Sequence, residues 1–293
     1  MSFGGSGVSE NAYYVNGYFT GEPLSNLGGF SLPFGAIEQQ ETFIGGYSAK
    51  YGRSDGGVIS QIGKSGTNEW HFGGQVVYVP KDMRGDVPST FYPNETLPVL
   101  DGHQYTYQNA AFPGKIYSRG THGKNWYTTY SLYAGGPLIQ DRLFGFVSIE
   151  QQDTNADGNP TSSSATIAHS NAKDPKIYAK LNWNITDNHR LELLAFSDEA
   201  ETNTSVYGYN FATRAVGNLT GETTAESGGK NGSATYIGHF GENFTAKAMY
   251  GVNRSSGLSY SPADGPCSQV LIDSSYNATW VGMGRPAVSC HPS

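Results

Sequence analysis

From residue 68 onward the chain alternates. Trp70, Phe72, Gly74, Val76 and Tyr78 share one parity, with His71, Gly73, Gln75 and Val77 on the other. Ile177, Ala179, Leu181, Trp183 and Ile185 form an unbroken apolar series, opposed by Tyr178, Lys180, Asn182 and Asn184. Trp126, Thr128, Tyr130, Leu132 and Ala134 repeat the pattern, as do Phe244, Ala246, Ala248, Tyr250 and Val252. A period of two with one apolar face is that of a half-buried strand. Seven such segments are expected, at 68–79, 124–135, 142–151, 175–185, 190–197, 234–241 and 244–254.

Alternation alone fits a soluble sandwich as well as a membrane barrel, because both hide one face of each strand. The connections separate the two. Those at 137–142, 186–189 and 241–243 are short, whereas 80–123, 152–174, 199–233 and the chain from 254 are long. Strict alternation of short and long links is the habit of outer-membrane barrels, with turns at one end and loops at the other. Long structureless loops are uncommon in compact soluble domains. Aromatic residues near segment ends, Trp70, Tyr78, Trp126 and Trp183, suit interfacial girdles, and Trp70, Trp126, Leu181 and Trp183 are expected to face lipid. An odd number of strands ending on the long-loop side leaves such a barrel open, so a piece of a larger barrel is expected.

Residues 1–66 have a different texture. "AYYVNGYF" predicts two short strands around an Asn16-Gly17 turn, and further strands are expected at 37–44 and within "GGVISQIGKSG". Composition agrees with strands throughout: 39 Gly and 20 Tyr accompany only 15 % charged residues. A net charge of −7 with no basic face argues against nucleic acid. No apolar window is long enough for a membrane helix, and the first residues have neither the basic nor the apolar region of a signal peptide. Cys267 and Cys290 read as a local disulfide in an oxidising compartment, with free thiols as the other reading.

The stretch "GGYSAKYGRSDGGVISQIGKSGTNEWHFGG" resembles the end of the plug and the start of the barrel in TonB-dependent outer-membrane receptors, and most closely their Oar-like branch. "YAGGPLIQDRLFGFVSIEQQ" is similar to that branch's second strand, periplasmic turn and third strand; "ENAYYVNGYF" and "LPFGAIEQQETFIGG" are similar to the middle of its plug. Gln61, Gly63 and Asn16 depart from the usual wording. The resemblance implies an all-β fold: the C-terminal part of a plug domain over 1–66, then, over 67–293, the first ~7 antiparallel strands of an incomplete transmembrane barrel with long extracellular loops. Complete members have about 22 strands around a plug. It further implies energised uptake of an unknown ligand, an inner-membrane TonB complex as partner of the full-length parent, and an outer-membrane location, with the signal peptide and TonB box expected to lie outside this stretch. Gly45, Gly46, Tyr51, Gly52, Arg53, Asp55, Gly56 and Gly57 match the plug motif, and Arg53 and Asp55 are expected to pair with the barrel wall.

Sharper chemistry finds little support. "GVISQIGKS" fails as a phosphate loop because Val58 stands where a glycine is required. Asp153, Asn155 and Asp157 open a calcium-loop pattern, but its closing acidic position is Ser164. The histidines are scattered, and neither a nucleophile elbow nor a carboxylate pair suggests an enzyme or a cofactor. The competing reading is a soluble or surface β-rich adhesin or glycan-binding protein using its Tyr-rich loops.

Overall fold

The computed structural model describes residues 3, 6–21, 29–48, 50–52, 54–93, 99–100, 103–104, 113–120, 123–162 and 165–261. The described chain is almost all β, in two principal sheets. The smaller has the order β2-β1-β4-β3 and is built from β1 (Ala12–Val15), β2 (Tyr18–Phe19), β3 (Ile37–Phe43) and β4 (Val58–Gly63). β1 runs parallel to β4, and the other pairings are antiparallel. The Asn16-Gly17 turn forms as expected: both residues have positive φ, 49° and 80°, the backbone a two-residue hairpin demands.

The larger sheet begins with β5 (His71–Val79). Two ribbons follow: β6 (Thr90–Phe91) pairs with β9 (Ile116–Ser118), and between them β7 (Val99–Leu100) pairs with β8 (His103–Gln104). The wall then continues through β10 (Lys124–Ile139), β11 (Leu143–Asp157), β12 (Thr166–Thr186), β13 (His189–Ser197), β14 (Ala200–Asn210), β15 (Ala215–Phe240) and β16 (Phe244–Tyr260). β13 and β14 pair with successive halves of both β12 and β15. They therefore occupy one place in the sheet, end to end, interrupted only at Asp198 and Glu199. The eight strands thus fill the seven positions expected from the alternation.

Two of the expected long loops are corrected. Most of 152–174 and 199–233 is strand, with Asp157 paired to His169 and Thr202 to Ala225. These rungs are polar on both faces and are held by cross-strand side-chain bonds such as Asn171–Asn155 (2.9 Å), Ser170–Thr204 (2.9 Å) and Thr224–Asn203 (2.7 Å). Where water meets both faces the hydropathy no longer alternates, and the strand leaves no period-two signal.

The two faces of the lower wall are unlike. On β12, Ile177, Leu181 (38 %), Trp183 (45 %) and Ile185 are exposed, whereas Tyr178 is fully buried and Lys180 and Asn182 nearly so. Leu132 (68 % exposed), Val147, Ile149, Leu193, Tyr250 and Val252 continue the exposed series. Ser131, Ser148, Glu150, Asn231 and Thr235 continue the buried one. Large apolar groups face out and polar groups face the small sheet, the reverse of a water-soluble sandwich. Apolar packing between the sheets comes from Val15, Phe30, Leu32 and Ala36 against Phe146, Tyr178, Leu194 and Phe196.

Above the apolar band the outer face turns polar. Asp157 receives Lys81 Nζ at 2.5 Å and His169 Nδ1 at 2.7 Å. Burial pushes the Asp157 carboxyl up, but the bonds and charges of Lys81 and His169 outweigh it and hold the group below the ordinary aspartate range. A depressed folded pKa means stabilisation that is present above the unfolded value and lost as pH falls through the folded one. Asp157→Asn should therefore cost about 1 kcal/mol at neutral pH. Thermal unfolding at stepped pH reads it, and the gap to the parent should close in acid.

Candidate functional site

The chemistry-bearing contacts gather where the small sheet meets the wall. The stretch "GKSGTNEW", 63–70, crosses from one sheet to the other, and nearly every residue in it is engaged. Tyr178 is the centre. Its hydroxyl accepts from Asn16 Nδ2 (3.1 Å) and donates to the Lys64 carbonyl (3.2 Å). Asn16 Oδ1 in turn accepts the Gly63 N–H (3.1 Å), so one turn residue of the small sheet clasps both the wall and the end of β4. A Cβ on Gly63 would stand 2.1 Å from the Tyr178 hydroxyl. Gly66 is tighter still where it matters: its Cβ would stand 2.3 Å from the Gly145 carbonyl oxygen and 2.8 Å from that of Gly136, both backbone. Asn68 then locks the tight turn between β10 and β11, donating to Asp141 Oδ1 (2.6 Å) and accepting the Asp141 N–H (2.9 Å).

A second set of contacts holds residues 30–36 as a strap along the inner wall. Phe30 packs edge-on against Phe196 with centroids 5.8 Å apart, and Leu32 and Ala36 are buried beside it. Two wall carboxylates take strap backbone donors: Asp198 Oδ2 accepts the Ser31 N–H (2.8 Å) and Glu150 Oε2 the Phe34 N–H (3.1 Å). Glu150 also accepts Ser131 Oγ (3.0 Å) and lies 3.6 Å from Lys176 Nζ, while Asp198 Oδ1 accepts the Gly229 N–H (3.1 Å). Ser131 faces Glu150 and Glu150 faces Lys176 in register, so this polar row crosses neighbouring strands at one height. A cavity of about 420 Å³ opens beside it, lined in part by Thr20, Ser31, Asp174, Lys176 and Asp198.

The motif residues singled out from sequence lie mainly at the opposite end of the small sheet. Tyr51 packs on Tyr14 (5.1 Å) and Phe43 (5.6 Å), and the Tyr14 hydroxyl donates to the Gly52 carbonyl (2.7 Å). Gly56 and Gly57 are buried, Gly46 has a φ of 66°, and Gly45 and Gly52 have open space around them. Asp55 is exposed and has no ion pair among the described residues, which corrects the expected pairing with the wall. The reason is distance: it precedes β4, whose far end touches Tyr178, so six extended residues, roughly 17 Å, separate it from that contact. Arg53, Cys267 and Cys290 lie outside the described residues.

Of the four wall positions, Trp70, Leu181 and Trp183 lie exposed on the apolar face, and Trp70 covers Gly136. Trp126 shares that face but stands above the band, under Lys81 Nζ (4.4 Å) and beside His169 (6.1 Å). Asp153, Asn155 and Asp157 lie along extended β11, bonded to Gln151, Asn171 and the Lys81–His169 pair respectively. Successive same-face positions on a strand lie nearly 7 Å apart, too far to converge on one calcium ion. Among the described residues no group of three ligating side chains is placed to hold a metal.

Sequence reasoning missed Asn16, Tyr178, Asp141, Glu150 and Asp198 as contact residues. One signal was available: Tyr178 is a large aromatic on the otherwise polar parity of its strand.

No protein-family model matches the chain. The TonB-dependent transporter Oar of Myxococcus xanthus is 27 % identical over 146 residues, 50 % of this chain and 12 % of the transporter. The Oar-type resemblance of the motifs is thus borne out, and the chain spans only a small part of that relative's length. Among solved structures, the unliganded crystal structure of the ferric citrate transporter FecA covers 86 % of this chain and 50 % of its own, with 9 % identity and a TM-score of 0.31.

Gly66 gives the most direct test of the seam. Gly66→Ala must displace wall backbone and should destabilise by about 1–3 kcal/mol. Gly45→Ala, in open space, should stay within about 0.5 kcal/mol of the parent. Denaturant midpoints of the two variants compare them directly.

Proposed function

We propose that residues 1–66 are the C-terminal part of a plug and that residues 67–293 begin an outer-membrane β-barrel whose exposed apolar face lies in lipid. The single observation behind this reading is the inverted wall: Leu132, Ile149, Leu181 and Trp183 exposed, with Ser131, Glu150, Lys180 and Asn182 buried on the other face. Water would penalise such a surface, and hydrocarbon favours it. Hydrocarbon also requires every backbone group to be paired. β5 and β16 each keep one unpaired edge among the described residues, so further strands must close the wall. The strands continue above the apolar band as water-facing ladders, the geometry of a vestibule outside the membrane.

With a plug filling the barrel, the whole protein is an importer rather than an open pore. It takes up a ligand that these residues do not identify, driven by a TonB complex pulling on the plug from the periplasm. Its location is the outer membrane, with lipid as the wall's first partner, and it is not an enzyme. The Oar relationship supports this class of role.

Two measurements test the reading. The full-length protein should fractionate with detergent-extracted outer membrane, and recovery in the soluble fraction would remove the transporter. Leu181→Arg should cost ~2–4 kcal/mol near the bilayer midplane and reduce the amount of assembled barrel. Asn182→Arg, on the inner face, should be milder; equal losses would contradict the assigned faces.

A further inference from the structure

The chain contains two Asn-Gly steps, Asn16-Gly17 and Asn231-Gly232. Such steps are prone to deamidate, because glycine has no side chain to shield its own nitrogen. The glycine nitrogen gives up its proton to solvent and attacks the Asn Cγ. A C–N bond forms and the side-chain nitrogen leaves as ammonia. Water then opens the succinimide at either carbonyl, leaving aspartate or the isomer whose main chain runs through the side-chain carbon. No reactant but water is consumed. The carboxamide must turn its carbon toward the following nitrogen, so whatever holds it sets the rate.

The structure holds the two steps differently. Asn231 stands inside the wall, paired with Phe196 on one side and Asn253 on the other, and is only 6 % exposed. Its carboxamide atoms have no hydrogen-bond partner, so the ladder alone keeps it extended. Freeing it requires β15 to part from its neighbours. Asn16 lies half-buried at the tip of the β1–β2 hairpin, and Gly17 is exposed with open space around it. Here the side chain is held at both atoms by other elements. Nδ2 donates to the Tyr178 hydroxyl (3.1 Å), and Oδ1 accepts the Gly63 N–H (3.1 Å). Both are neutral bonds of modest net strength. A small local opening is enough to break them, and solvent already reaches Gly17.

We propose that Asn16 is a self-deamidation site gated by its contact with Tyr178: docked on the wall it persists, and once that contact opens it converts. The product has no Nδ2 donor. The single proton of the Tyr178 hydroxyl now goes to the Lys64 carbonyl, and it can serve that carbonyl or the new carboxylate but not both. The isomer also adds a methylene to a two-residue turn, for which the Val15↔Tyr18 pairing leaves no room. Because ammonia is lost, the change is one-way, and a seam that has stood open recloses altered. The gate depends on the docked contact alone, whatever the whole protein carries.

Peptide mapping by mass spectrometry, on the full-length protein in a lipid bilayer at mildly alkaline pH, tests this by reading Asn16 and Asn231 together. Both should convert in the unfolded chain. In the folded parent both should be slowed, with Asn16 ahead of Asn231. Tyr178→Phe removes the hydroxyl but keeps the ring against Phe146. It should speed conversion of Asn16 about fivefold, the rise in open population expected for one lost hydrogen bond, and leave Asn231 unchanged. A measurement on the parent needs no variant. On stepwise warming, Asn16 conversion should rise in step with hydrogen exchange of the Gly63 N–H, well before Asn231 reacts. If Tyr178→Phe converts both residues it has opened the wall itself, and the warming series decides. Conversion of Asn16 as fast in the folded parent as in the unfolded chain overturns the gate. So does an Asn16 rate unmoved by Tyr178→Phe, or one that ignores Gly63 exchange and follows Asn231.

Discussion

The strand period of two puts alternate side chains on opposite faces, and in this wall the apolar parity points away from the rest of the chain. Everything else follows from how the inner face is then filled. Its polar groups cannot be covered by an ordinary apolar core without losing hydrogen bonds. The small sheet answers with a mixed surface. Phe30, Leu32 and Ala36 meet the few apolar inner residues, while backbone amides and Asn16 meet the carboxylates and the Tyr178 hydroxyl. Such an interface is specific in register, because each polar partner must find its mate beside the apolar cluster.

That division explains the two kinds of glycine in the chain. Gly66 lies where two backbones nearly touch, so the crossing from small sheet to wall is a fixed hinge point rather than a slack linker. Asn68 and Asp141 extend the fixation to the first turn of the wall, and Trp70 covers Gly136 directly beyond it. The start of the wall and the end of the small sheet are therefore positioned together. Gly45 and Gly52, by contrast, border open space at the remote end, where the Tyr14–Tyr51–Phe43 cluster gives the small sheet a packing centre of its own.

Much of this was legible in the sequence. The lower halves of β12 and β16 announce themselves because one parity is apolar and the other is not. The Asn16-Gly17 turn does so because few residues accept two positive φ values in succession. The upper rungs were hidden for an equally physical reason: Asn155, Asn171, Ser170 and Thr204 are strand residues wet on both sides, and composition reads them as loop. Asp55 misled because its motif neighbours suggested proximity to the wall, whereas only the topology of β4 fixes which end of the small sheet touches Tyr178. Contacts such as Asp198 with Ser31 join residues 167 positions apart, and no local pattern encodes them.

The wall changes character with height, and Trp126 marks the change. It belongs to the same parity as Leu132, yet it lies against Lys81 and His169 rather than in the apolar series. A cation over an indole face is favourable at an aqueous boundary and would be costly in hydrocarbon. On the barrel reading proposed above, the Lys81–Asp157–His169 group would mark the upper edge of the lipid-facing band, independently of the aliphatic residues below it. On the inner face the row of Ser131, Glu150, Lys176 and Asp198 lies between those two levels. The strap is thus gripped near the top of the apolar band, above Tyr178 and the Gly66 crossing. Two grips at different heights resist tilting of the small sheet as one alone would not, which holds β3–β4 upright against the wall.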